Sequence, residues 1–338
     1  MHTKSLNVAA INQNLDWNFA VHYGVVEYLA GYDPAEAWNV RGISGRGGSS
    51  QKYFDYRQEK VVELEDQLKN SQELQNKLDD FLEECFTLFN AFRDENQQMI
   101  DQYLDKEFYF ILGADRTGGT FMLKELSRAL DWSYQNLHMS ILHEHMPDFD
   151  IEEPDAIGWR KPDNYYYLLF QIVQFLVYIN RVVPEEEYVV KKTRFSKCMQ
   201  LIDYIFGDKA YYIVTVRHPA AINASRMETG ATGEVVDDVK REGKRTLYLW
   251  QTVYREIVRD GQPEGLILPI QFGSGMDEFL ADFFAHHNAS VEPDKCHITE
   301  RDYDYDFWTS DYVVNSMEWV RMLWQLHELE FPVPEEIL

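Results

Sequence analysis

Two short segments carry residue types that can bind and move an oxyanion. The first is Gly113-Ala114-Asp115-Arg116-Thr117-Gly118-Gly119-Thr120-Phe121. It follows the continuous apolar run Phe108–Leu112 and opens an amphipathic pattern over Thr120–Leu130, which reads as a strand running into a helix. Glycines there permit a tight turn and let backbone N–H groups approach a ligand closely. The helix start adds partial positive charge. Arg116 offers a planar fork for phosphate or sulfate oxygens, and Thr117 and Thr120 offer hydroxyl donors. The second segment is Tyr211–Met227. Here an apolar strand ends in Arg217, Pro219 sits just inside the next helix, and Ser225 follows Arg217 by eight residues. Arg217 falls at the carboxyl end of a parallel strand, where open α/β sheets bind ligands.

The first loop is not a Walker A motif, because the Gly-Lys-Ser/Thr ending is missing. It is not a dinucleotide fingerprint either, since Gly113, Gly118 and Gly119 have the wrong spacing. It does resemble the 5′-phosphosulfate-binding loop of sulfotransferases that use 3′-phosphoadenosine-5′-phosphosulfate (PAPS). On that resemblance Arg116, Thr117, Gly118, Gly119, Thr120 and Phe121 wrap the 5′-phosphate and the transferring sulfuryl group. The segment Tyr211–Met227 is similar to the 3′-phosphate motif of the same family, with Arg217 and Ser225 gripping that phosphate. The resemblance spans roughly Glu107–His287 and does not reach residues 1–105. It implies a P-loop-like sulfotransferase fold. It also implies transfer of a sulfuryl group from PAPS to a hydroxyl or amine of a small acceptor, with PAP released and no metal required.

The same resemblance supplies further candidates. Lys191-Lys192-Thr193-Arg194 resembles the Lys-Thr segment upstream of the 3′-phosphate motif. It implies Lys192 as the residue that stabilises the leaving group, with Lys191 as the alternative register. Arg194 stands where one branch of the family has a catalytic His, and an arginine cannot act as a base. The base is therefore sought in Asn136–Pro147, which holds His138, His143, Glu144 and His145. His138 lies closest to the position of the Glu base in other branches. An imidazole, with its ordinary pKa near ~6.5, suits proton acceptance at neutral pH. Three departures stand out: Asp115 puts a carboxylate beside the anion loop, Gly119 removes one hydroxyl of the usual pair, and the C-terminal Arg-Lys-Gly element of cytosolic members is absent. Arg41 and Arg46, flanking the glycines of Gly42–Ser50, are the candidates to compensate.

The elements that must position these residues read as an α/β pattern. Phe108–Leu112, Tyr188–Val190, Tyr211–Val216 and Leu266–Gln271 are apolar strands. Helical patterns over Thr120–Leu130, Phe195–Phe206, Ala220–Met227, Thr246–Arg259 and Met276–His287 separate them. Apolar strands alternating with helices predict a three-layer α/β/α domain with a central parallel sheet, here over residues 106–338, with the aromatic-rich tail Asp302–Trp324 as a cover. Residues 1–105 read as a helical extension. Within it Asp33-Pro34 opens a helix, and Val61, Leu64, Leu68, Leu78, Leu82, Cys85, Phe89 and Phe92 mark a long helix or hairpin interrupted at Ser71 and Gln75. A dimerising coiled coil is the alternative use of that stripe, disfavoured by its polar middle.

Bulk properties narrow the partners. The 338 residues carry a formal charge of −25, which repels nucleic acid and sulfated glycans and favours a cationic small acceptor. Three scattered cysteines, Cys85, Cys198 and Cys296, form neither a metal spacing nor a disulfide framework, as suits a reducing cytoplasm. Residues 1–19 lack the apolar run of a signal peptide, and Tyr165–Val183 is interrupted by Gln171, Gln174, Asn180 and Arg181, so a buried helix is expected there rather than a membrane span. Two rival readings remain at this stage: a P-loop-type small-molecule kinase, and a non-catalytic interaction protein with a sulfotransferase-like fold.

Overall fold

The computed structural model describes residues 6–7, 20–21, 23–31, 62–130, 162–182, 186–191, 195–196, 198–228, 239–259, 263–297 and 305–332. The Asp33-Pro34 helix start and the loop Gly42–Ser50 lie outside them. The chain divides into two compact units, Met1–Asp105 with Ser133–Glu186, and Lys106–Trp132 with Glu187–Leu338.

In the first unit the apolar stripe does break at Ser71. Residues 62–70 are helical, and a new helix runs Gln72–Arg93. Ser71 caps it, its Oγ accepting from the Leu74 N–H at 3.2 Å, which satisfies a donor the first turn leaves open. Gln75 donates back to the Leu68 carbonyl at 2.5 Å. Leu64, Leu68, Leu78, Leu82, Cys85, Phe89 and Phe92 are all buried, so the stripe is spent on packing and does not form a coiled-coil seam. Its partner is the helix Pro162–Val182. Phe170 meets Phe86 and Phe89 there, and Arg181 pairs with Glu84 and lies over Phe81. No helix among the described residues is long and apolar enough to cross a membrane.

The second unit runs β1 Glu107–Gly113, α1 Gly119–Ala129, β2 Glu187–Lys191, α2 Met199–Phe206, β3 Ala210–Val216, α3 Pro219–Glu228, α4 Val239–Val258, β4 Leu266–Gln271, α5 Ser274–His286 and α6 Asp311–Leu326. The four strands are parallel in the order β2-β1-β3-β4. Alternating side chains serve opposite faces. Phe108 and Phe110 meet Phe206 of α2 on one face, while Tyr109 and Tyr211 stack on the other, with Phe283 of α5 against Tyr109. This is the expected α/β fold, a parallel sheet with helices on both faces. The chain steps from β1 to β2 on one side and then crosses to β3 on the other. The sheet thus has its switch point between β1 and β3, where a crevice opens at the carboxyl ends.

The exit of β3 is anchored from behind. Tyr254 of α4 donates to the Thr215 carbonyl at 2.7 Å, and Trp250 donates to the Arg217 carbonyl at 2.9 Å. Trp324 of α6 donates to the Tyr254 carbonyl at 2.9 Å, so the C-terminal helix is tied to the strand end through α4. Next to this exit β1 leaves the sheet at Gly113, with φ +125°. A Cβ there would stand 2.5 Å from the Thr215 carbonyl oxygen and 2.8 Å from its hydroxyl. Gly113→Ala should therefore cost about 2–4 kcal/mol, since backbone strain and overpacking add. A urea unfolding curve measures it, and a midpoint equal to that of the unaltered chain would contradict this account.

Candidate functional site

The loop after β1 is held by its own interior. Thr117 is 2% exposed. Its Oγ1 lies 2.7 Å from both the Ala114 carbonyl oxygen and Thr215 Oγ1, and Thr215 Oγ1 lies 3.0 Å from the Leu112 carbonyl oxygen. The Thr117 hydroxyl is thus bonded within the turn. Arg116 and Gly118 both take the left-handed region, at φ 70° and φ 86°. Gly118 needs its missing side chain, because a Cβ would meet Met276 at 2.8 Å and Phe272 at 3.0 Å. At Arg116 an ordinary residue bears the strain, and it lines the cavity beside the loop.

That cavity, of about 500 Å³, is lined by the loop residues Ala114, Asp115, Arg116, Gly118, Gly119, Thr120 and Phe121 and by four residues from other elements, Lys191, Arg217, Arg226 and Phe272. Lys191 ends β2 and pairs in register with Ile111 of β1, which brings it beside the loop. Its ammonium donates to Thr120 Oγ1 at 3.0 Å. Its stem crosses Gly119, where a Cβ would come within 3.3 Å of Lys191 Cε. Gly119, which looked like a lost hydroxyl, makes room for this lysine. Burial lowers the Lys191 ammonium from its ordinary value; Asp115 opposes the shift and Arg116 adds to it.

Arg217 leaves β3 and is 6% exposed. Its guanidinium lies over the Phe272 ring at 4.0 Å and donates to the Arg116 carbonyl at 3.1 Å. It therefore ties the exit of β3 to the loop after β1. Phe272 is itself fixed by its N–H, which donates to the Val216 carbonyl at 2.7 Å. Ser225 is buried on α3 and is not among the residues lining the cavity. Arg226, one residue on, lines it and pairs with Glu242 of α4 at 3.4 Å. Asp115 is the carboxylate among lining residues that also include four cations.

Lys192, His138, His143, Glu144, His145, Arg41 and Arg46 lie outside the described residues. Sequence reasoning missed Arg226 and Phe272. Arg226 directly follows the Ser225 already singled out, and Phe272 directly follows the fourth apolar strand, the position from which a strand delivers a side chain to this edge of the sheet. Among the described residues no three His, Cys, Asp or Glu side chains gather to hold a metal ion.

No family model matches this chain, and no curated protein does. Among solved structures it is similar to the sulfotransferase domain from the Synechococcus PCC 7002 olefin synthase. That match has 17% identity and a TM-score of 0.32 and covers 69% of this chain and 92% of that one. It is also similar to the sulfotransferase domain from the curacin biosynthetic pathway, at 16% identity and a TM-score of 0.31, covering 67% and 99%. Likeness at this level carries nothing about chemistry, which rests on the side chains around the cavity.

Two outcomes follow from the site's construction. Arg116→Gly should relieve the left-handed strain and leave the fold as stable or up to ~1 kcal/mol more so, while removing a cation from the cavity. A large loss of stability by thermal unfolding would show that Arg116 holds the loop together instead. The second concerns His218, next to Arg217. It is buried, its Nδ1 accepts from the Ala220 N–H at 3.1 Å, and burial lowers its pKa to about 4. The unfolded chain binds this proton near pH ~6.5 and the folded chain only near pH 4. The associated stability is complete above ~6.5 and falls away as the pH drops towards 4, by on the order of 3 kcal/mol. His218→Asn, whose Oδ1 can accept the same bond, should flatten that part of the pH–stability curve.

Proposed function

We propose that this chain transfers a sulfuryl group from PAPS to a hydroxyl or amine of a small acceptor and releases PAP. The observation that carries the reading is the convergence of Arg116, Lys191, Arg217 and Arg226 on one cavity at the switch point of the sheet, in a chain of net charge −25. Such a wall fits a ligand with several negative charges, and a cavity of this size suits a nucleotide. The residues also fit the group in detail. Lys191 is driven towards its neutral form by burial with Arg116 adding to the shift, a cost that a bound anion would reverse.

When bound, PAPS supplies the sulfuryl group, whose S–O bond to the 5′-phosphate breaks as sulfur bonds to the acceptor's oxygen or nitrogen. Loop N–H groups at the start of α1, with Arg116 and Thr120, hold the phosphosulfate end. Lys191, beside Thr120, is the residue to stabilise charge on the leaving phosphate, the role that the sequence resemblance gave to Lys192. Arg217 and Phe272 form one rigid wall for the nucleotide. The acceptor's proton goes to a base in this reading, with His138, His143, Glu144 and His145 as the candidates. A field of this sign outside the cavity favours a neutral or cationic acceptor over a polyanionic one.

Thermal shift with PAP and with ATP–Mg²⁺ separates the readings. PAP should raise the melting temperature, by about 2–3 kcal/mol of stabilisation at a hundredfold excess over Kd, and Arg217→Ala should abolish the effect. Stabilisation by ATP–Mg²⁺ alone would turn the assignment to a kinase. A folded chain that binds neither would favour a non-catalytic interaction protein.

A further inference from the structure

The helix α6 carries two apolar seams, one turned in and one turned out. Val313, Met317, Val320 and Trp324 are buried, and their spacing of four, three and four residues marks one side of a helix. About a third of a turn away, at ~3.6 residues per turn, Tyr312, Trp319 and Leu326 recur every seven residues with Met322 beside them. These side chains are 58%, 46%, 79% and 56% exposed in that order. A seven-residue apolar repeat is the spacing by which one helix packs along another. The outward direction of this seam is fixed by the fold. Trp324 is bonded to the Tyr254 carbonyl, and Gln251 of α4 donates to the Ser316 carbonyl at 3.5 Å, so α6 is held to α4 and cannot roll.

The exposed seam is complementary to itself. Tyr312 and Leu326 stand seven residues before and after Trp319. With two α6 helices antiparallel about a twofold axis at Trp319, the two tryptophans meet on the axis. Tyr312 of each copy then faces Leu326 of the other, and Met322 of each faces Ser316 of the other. Large side chains thus lie against small ones along the seam. Ser316 brings no open donor there, because its hydroxyl donates to the Tyr312 carbonyl at 2.7 Å.

Area and charge favour the same occupant. Four large side chains, each about half exposed or more, offer on the order of 500 Å² per copy. A single copy leaves that patch in water, towards the upper end of what monomers expose. Two copies bury about 1,000 Å² from these residues alone, which is where specific interfaces begin. Each copy carries −25, so two chains can approach only through a face with little charge of its own. The charged residues of α6 are Asp311, Glu318 and Arg321, and Arg321 Nε donates to Glu318 at 2.8 Å. The outer face of the helix Gln72–Arg93, by contrast, exposes Glu73, Asp79, Asp80 and Glu83.

We propose that this chain forms a twofold-symmetric homodimer through the outward seam of α6, with Trp319 on the axis. The dimer is independent of what the cavity binds.

Light scattering on the full chain, as it leaves a sizing column over a range of concentrations, measures the mass. The unaltered chain should run as a dimer. Trp319→Glu sets two like charges together on the axis and should weaken association about 30-fold or more, with the melting temperature within a few degrees because the side chain is half exposed. Val314→Glu adds the same charge on the far side of the buried seam, at a residue 54% exposed, and should leave the dimer intact. Leu326→Glu should also dissociate it, and adding Tyr312→Lys should restore much of the association, since the two new charges face each other between antiparallel copies. If Trp319→Glu melts early, Leu326→Glu carries the test at a position that is nearly all in water. An unaltered chain that stays monomeric, its seam taken by another part of the chain or by a different partner, overturns the proposal. So does a dimer that survives both glutamate substitutions, and a failure of Tyr312→Lys to restore anything overturns the antiparallel twofold pairing.

Discussion

Holding four cations around one cavity is the constraint on which the second unit is built. Two like charges ~7 Å apart repel by about 2 kcal/mol at an effective dielectric of ~20, and every pair among Arg116, Lys191, Arg217 and Arg226 adds to that sum. The net negative charge of the chain does not remove the cost, because charges spread over a wet surface are screened beyond about 10 Å. Three of the four are therefore held by something local. Arg217 has an aromatic face and a backbone carbonyl, Arg226 a buried carboxylate, and Lys191 a threonine hydroxyl. Asp115 reaches Lys191 electrostatically. The carboxylate that looked misplaced in the loop is a counter-charge to that lysine.

The backbone around the cavity is arranged to keep those groups in place. The anchors on β3 come from α4, and α6 secures α4 in turn. The loop after β1 is closed on itself by Thr117 and Thr215 and pressed from the other side by Phe272 and Met276 against Gly118. Three strand exits thus meet around one turn with almost no slack. A left-handed arginine can persist in such a frame because its neighbours over-determine its conformation. That is how a strained residue comes to stand at the wall of the cavity.

A histidine buried neutral beside Arg217 belongs to the same economy. Another cation at the exit of β3 would raise the repulsion further, and the burial of His218 with its Nδ1 as an acceptor keeps it uncharged through the neutral range. The local electrostatics are therefore set as much by which groups are denied charge as by which carry it.

Much of this was written in the sequence itself. The four apolar runs became the four strands, and the alternation with helices implied a parallel sheet, because such runs can only be buried on both faces. The glycines marked the strand-to-helix loop that lines the cavity, and Arg217 marked a strand exit. These are short-range properties, legible because a strand, a turn and a helix start each have their own residue chemistry. The tertiary structure alone decided the rest. It turned Thr117 inward, since a hydroxyl one residue from a tight turn can satisfy the backbone of a neighbouring strand as readily as a ligand. It brought Lys191 to the cavity through the β1–β2 register, in which a shift of one residue sends a side chain to the opposite face. It brought in Arg226 and Phe272, whose partners lie on other elements. Local pattern determines which segments can form a strand or bind an anion. Which side chains share a cavity depends on register and crossover, and those are properties of the assembled chain.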